Sequence, residues 1–282
     1  MRDTAGKVLS SRDMAIAPVV IPAKSATHDW LTLAAIGIVA CISADMVHEA
    51  LGHGIAALLM GDRILSISTV AIQNASANRF VSAAGTSANC LVGAIALVLF
   101  CRADKLTSAT YFLWIFSAFN LFNSGYLVVS ALLNNGDWAN VIAGLAPPWA
   151  WRCLLGTTGA ALYTLSVRLT ARAMIRLLES RQFGVADLQC LVLPAYLAGG
   201  VVMTIASFFN PISPNLILLS GAGASFGLNS GLLLLPAMIA RDARSHSTIT
   251  QQVPFSPLWL ALAALVGGVF VAVLGPGIHF SK

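Results

Sequence analysis

Seven apolar runs divide the chain, at about residues 30–59, 80–101, 107–133, 152–174, 187–209, 214–240 and 257–278. Each is long enough to cross a bilayer as a helix, which takes about 20 residues. The predicted fold class is therefore an all-α polytopic membrane protein, multi-pass, with about seven transmembrane helices in the lipid bilayer. Charge content agrees: 10% of the residues are charged and 57% hydrophobic, whereas a soluble domain carries about 25% charged residues. So few charges cannot cover a water-facing surface. The first run is long for one crossing and is expected to tilt, bend or break near Gly52-His53-Gly54.

The net charge of +5 does not point to nucleic acid, because the basic residues sit in short connections between apolar runs, where they orient helices. With the N-terminus in the cytoplasm and alternating crossings, the inner segments hold Arg2, Lys7, Arg12, Lys24, Arg102, Lys105, Arg168, Arg172, Arg176, Arg181, Arg241 and Arg244. The outer segments hold only Arg63, Arg79, Arg152 and Lys282. That bias predicts a cytoplasmic N-terminus. Residues 1–28 read as a polar cytoplasmic tail, with no short apolar core of the kind a cleaved signal peptide requires. Ile38-Val39-Ala40-Cys41 has the form of a lipoprotein cleavage box, but a long charged lead precedes it and the apolar run continues past it. The five cysteines are odd in number and form no C-x-x-C pair, which argues against a disulfide framework and a thiolate metal site. Short connections without a large ectodomain fit a bacterial inner membrane.

His48-Glu49-Ala50-Leu51-Gly52-His53 falls inside the first apolar run. Ionisable groups within a membrane span are costly and mark functional sites. Two histidines with a glutamate beside the first are the residue set of zinc hydrolases, in which imidazoles bind the metal and the carboxylate acts as general base. Histidines five apart lie roughly 140° from each other on an ideal α-helix. Both reach one metal only where the helix is bulged or unwound, and Gly52 and Gly54 favour such a distortion. Asp45, one turn before Glu49, adds a further acid to the same sector. The alternative is a set of mutually hydrogen-bonded polar residues that hold a helix bundle together. A catalytic zinc takes three protein ligands and leaves one position open. His28, His246 and His279 lie near span ends or in connections, which leaves Asp137, in Asn134-Asn135-Gly136-Asp137-Trp138, as the candidate third ligand. The competing reading of that stretch is an ordinary turn.

Residues 61–79 differ in character. Ile64, Ser66, Ile67, Ser68, Thr69, Val70 and Ile72 are β-branched or partly alternating, which predicts a short strand or hairpin after the first helix. Such strands must line a cavity or lie at the interface.

These residues together resemble the site-2 protease family of intramembrane zinc metalloproteases. His48 to His53 is followed by Gly54, small residues and Gly61; a β-like segment comes next. Ala84-Gly85-Thr86-Ser87-Ala88-Asn89 is similar to the family's glycine-to-asparagine motif, and a helix carrying Asn120 and Asn123 leads to Asp137. The departures are an extra residue between the histidines, as in the His-Glu-x-x-Gly-His motif of dipeptidyl peptidase III, and Gly-Asp-Trp in place of Leu-Asp-Gly. The resemblance covers residues 29–140, read as a catalytic core, with 141–282 as additional transmembrane helices. It implies Zn2+ held by His48, His53 and Asp137, with Glu49 taking a proton from a water activated by the metal. Asn89, Asn120 and Asn123 would stabilise the oxyanion or hold substrate backbone. The substrate would be a membrane protein or peptide, added as a strand to residues 64–72. Two other classes stay open: a membrane protein using the His/Glu/Asp cluster for metal or proton transport, and a degenerate protease scaffold that only binds partners. Nothing in the sequence sets the oligomeric state.

Overall fold

A computed structural model describes residues 28–76, 78–181, 188–210, 215, 217–242 and 252–280. Residues 1–27 of the N-terminal tail lie outside them. Among the described residues, six helices are both long and apolar enough to cross a membrane: Trp30–Leu59, Arg79–Phe100, Ser108–Leu133, Leu188–Ser207, Gly221–Ile239 and Pro257–Leu274. The sequence reading counts a seventh, 152–174. That run lies in α7 (Pro148–Arg181), which at 34 residues has the length but is not among the six apolar helices. Its C-terminal half carries Arg168, Arg172 and Arg176.

The first crossing has three parts: α1 (Trp30–Met46), a π-helix (Val47–Gly54) and α2 (Ile55–Leu59). Asp29 caps α1 by accepting a 2.7 Å hydrogen bond from the Thr32 backbone N–H. Helices in lipid gain little from hydrophobicity when they associate, so close approach depends on small residues. α1 follows that rule against α8 (Leu188–Ser207). A Cβ on Gly37 would fall 2.3 Å from the Ala195 Cα, and one on Gly199 would meet the Cys41 side chain at 3.0 Å. Gly37 and Cys41 are four apart, as are Ala195 and Gly199, so each helix offers a small-residue face at helical spacing.

A hairpin follows, β1 (Ile64–Ile67) and β2 (Ile72–Asn74), as the β-branched run predicts. Asp62 ties its ends together, accepting from the Asn74 side chain at 2.6 Å and the Ser76 N–H at 3.3 Å. The Asn74 bond leads in holding the Asp62 carboxyl below its ordinary range. A third strand, β3 (Ile278–His279), pairs with the other edge of β1, giving the order β2-β1-β3 and leaving β2 with an edge unpaired among the described residues.

Next come α3 (Arg79–Phe100), α4 (Ser108–Phe122), a 3-10 turn (Asn123–Gly125), α5 (Tyr126–Leu133) and the short α6 (Asp137–Ile142). α7 and α8 are followed by a second π-helix (Ile217–Gly227), a 3-10 turn (Leu228–Ser230), α9 (Gly231–Asp242), α10 (Pro257–Val269) and a last π-turn (Phe270–Leu274). Hydrogen bonds mark the two ends of the bundle. At one end, Val253 bonds to His28 and Asp29, and the Tyr111 hydroxyl donates to the Leu191 carbonyl. At the other, Arg152 donates to the Ala131 carbonyl at 2.8 Å and the Thr69 N–H to the Leu274 carbonyl at 3.1 Å. α7 runs from this second end back towards the first, where the Trp114 indole donates to the Thr170 carbonyl at 3.1 Å.

Candidate metal centre

The extra residue between the histidines is absorbed by the backbone. A π-helix closes its hydrogen bonds from i to i+5, so residues five apart stack as residues four apart do in an α-helix. Because Val47–Gly54 is π-helical, His48 and His53 share a face. Their rings meet edge-on with centroids 4.8 Å apart, and their Nε2 atoms lie 3.2 Å apart. Asp137, distant in sequence, brings its Oδ2 to 3.2 Å from both nitrogens. The turn that aims it needs unusual backbone: Asn134 is left-handed at φ 52° and Gly136 has φ 86°. Asn-Gly turn chemistry therefore presents the acid as the first residue of α6.

The other ring nitrogens define the chemistry of this triangle. His53 Nδ1 faces the Val81 carbonyl at 2.7 Å, so it must donate. His48 Nδ1 faces Asn89 Oδ1 at 2.8 Å. Asn89 spends its amide on the Ala44 carbonyl and Asn120 Oδ1, both at 2.8 Å, so its oxygen accepts from His48. A neutral imidazole with a protonated Nδ1 presents a lone pair at Nε2. Two lone pairs and a carboxylate oxygen thus converge on one point, and three acceptors converge only around a positive charge. Donors 3.2 Å apart in a tetrahedral arrangement surround a point about 2.0 Å from each.

Gly85 supplies the floor. An ideal Cβ there would lie 2.5 Å from His53 Nε2 and 2.6 Å from His48 Nε2. A hydrogen in place of a methyl keeps that space open. Glu49 completes the group: one carboxylate oxygen lies within 4.8 Å of the histidine nitrogens, and His48, Glu49 and His53 are all buried. These three could hold a metal ion.

The site opens into a cavity of about 620 Å³. Thr69 to Ile72, in and beside the hairpin, line one wall. Met203 on α8 and Ser225, Leu228 and Asn229 of the second π-helix region also line it, although the sequence reading gave the chain beyond residue 140 no chemistry. Of the three predicted asparagines, only Asn123 lines the cavity. Asn89 and Asn120 are wholly buried behind His48, where Asn120 in turn donates to the Phe116 carbonyl at 2.8 Å. The Tyr126 ring, tilted 6.1 Å from that of His48, also lines the cavity and was not singled out in the sequence. No family model, curated protein or solved structure matches the chain.

Proposed function

We propose that the protein is an intramembrane zinc metalloprotease built on the plan that its sequence resembles, that of the site-2 proteases. The observation that carries this reading is the triangle of His48 Nε2, His53 Nε2 and Asp137 Oδ2, with 3.2 Å sides. Two imidazoles and one carboxylate, with bonds of about 2.0 Å and a fourth position open, are the ligand set of catalytic zinc. Each histidine also donates its other N–H to an oxygen, the usual way in which metal-binding imidazoles are oriented. In this account Asn89 and Asn120 position His48, and Asn123 remains the asparagine available to substrate.

Bound zinc supplies Lewis acidity and lowers the pKa of water. The chain's own contributions are then distinct. Glu49 accepts a proton from the attacking water and passes it to the leaving amine. Glu49 and Ile72 of β2 line the same cavity, so the base and the strand face one space. The unpaired edge of β2 gives an extended segment of substrate backbone hydrogen-bonding groups, and the cavity has the size of a ligand pocket. A metal centre beside such a cavity favours hydrolysis over transport, which needs a continuous polar path.

In this account α7 also crosses, giving seven spans. β3 pairs with β1, so an even number of crossings separates them. Six do if α7 is one of them. The charge bias then favours a cytoplasmic N-terminus, with the metal centre towards the opposite face, and the short connections fit a bacterial inner membrane.

The test is Glu49→Gln. Purified in detergent, the variant retains the wild-type metal content and loses cleavage of a membrane-embedded substrate by at least about a hundredfold. Cleavage that survives removes the assigned mechanism.

A further inference from the structure

Asp45 is an acidic side chain in the cavity to which the proposed chemistry gives no task. It lies on the last turn of α1, four residues before Glu49, and lines the same cavity. Its Oδ2 is buried with no hydrogen-bond partner among the described residues. Thr69 Oγ1 on the hairpin side and Asn123 Oδ1 beside α5 line the cavity in the same condition. With Glu49 Oε2, which lines the cavity in the same condition, four unpaired polar atoms surround one space and point to a ligand that brings donors.

Charge sharpens the point. Among the described residues that line the cavity, the acids are Asp45, Glu49 and Asp137, and the one lysine or arginine is Arg79, whose guanidinium donates to the Ala143 carbonyl. Asp137 and Glu49 both stand beside the two histidines, at the proposed metal position. Asp45 has no such partner. A buried carboxylate without a counter-charge is costly, and within a membrane span it marks a functional contact.

We propose that Asp45 determines specificity by receiving a cationic nitrogen of the substrate, either a lysine or arginine side chain or a free α-ammonium. The proposal rests on the proteolytic reading above. Residues four apart on a helix have Cβ atoms about 5–6 Å from each other, and an extended peptide advances about 3.3 Å per residue. The cation therefore lies within about two residues of the scissile bond. A charge-assisted hydrogen bond to Asp45 gives about tenfold or more in affinity.

The experiment uses full-length Glu49→Gln protein in detergent, loaded with zinc, and a fluorescent leucine-rich peptide. Lysine or norleucine is placed at each position in turn, with the N-terminus free or acetylated. Lysine at one position, or the free amine, is expected to strengthen binding about tenfold or more. That preference is expected to vanish on adding Asp45→Asn and to survive Asp45→Glu. A preference for lysine identifies a side chain as the source of the cation, and one for the free amine identifies the chain terminus. The comparison of lysine with norleucine in the parent needs no change at Asp45, so it decides even if Asp45→Asn fails to fold. Peptides that bind without any such preference, or a preference that Asp45→Asn leaves intact, overturn the subsite and leave proteolysis standing. Zinc-loaded protein that binds none of the peptides overturns both.

Discussion

Gly85→Ala is the sharpest perturbation of the proposed centre, because it adds one methyl and changes no ligand. The new Cβ would stand 2.5 Å from His53 Nε2 and 2.6 Å from His48 Nε2, where ordinary contact begins at 3.4 Å. Relief requires the imidazoles or α3 to move by about 0.8 Å. Metal–ligand distances tolerate only about 0.2 Å. The rings have little room to retreat, since Val81 and Asn89 hold their Nδ1 atoms at 2.7 and 2.8 Å. Gly85→Ala should therefore lower zinc affinity by at least the 10–100-fold that loss of an orienting partner causes, roughly. Zinc content after gel filtration by elemental mass spectrometry, with competition against a chelator, measures this. Gly156→Ala is the control, since its Cβ would meet only Ala131 at 3.5 Å. Full zinc occupancy and unchanged affinity in Gly85→Ala would refute the placement of the metal between the two nitrogens.

Other consequences follow from the same geometry. Asn89→Ala removes the acceptor of His48 Nδ1 and a partner of Asn120; zinc affinity should fall about 10–100-fold with the helical content intact, as competition and circular dichroism would report. Chelation of the metal should lower the melting temperature, because zinc present at about 100 times its Kd stabilises the folded state by about 2.7 kcal/mol; a melting curve indifferent to chelator and zinc contradicts a bound metal. Gly37→Leu forces a side chain against the Ala195 backbone, where no rotamer gives relief; the cost is about 1–3 kcal/mol or more, visible as a lower melting temperature with detergent and zinc held constant.

The sequence made some of this legible and hid the rest for physical reasons. Membrane residence follows from composition, and the hairpin from β-branched residues. Glu49 and the histidines stand out because ionisable groups are rare in apolar helices. The five-residue spacing asks for a backbone distortion, and the π-helix provides it. The rest depends on contacts between distant segments. Gly85 belongs to a recognisable small-residue motif, but only the packed helices bring it within a methyl's reach of two histidine nitrogens. Asn89 and Asn120 read as polar groups available to substrate; burial behind His48 instead commits the Asn89 oxygen to His48, its amide to the Ala44 carbonyl and Asn120 Oδ1, and the Asn120 amide to the Phe116 carbonyl. Ser225 and Asn229 carry no local signal at all, since their place at the cavity depends on how the second π-helix packs against α8. α7 is where sequence and structure part: the apolar run 152–174 reads as a span, but it lies in a helix whose C-terminal half carries Arg168, Arg172 and Arg176 and which is not among the six apolar helices of the described residues.

Zinc stoichiometry in detergent-purified wild-type protein, beside a His48→Ala/His53→Ala double variant, tests the central claim most directly. The account predicts about one zinc per chain in the wild type and none in the variant. No zinc in either, even after zinc is supplied, would contradict it and leave the cluster as a polar anchor of the bundle.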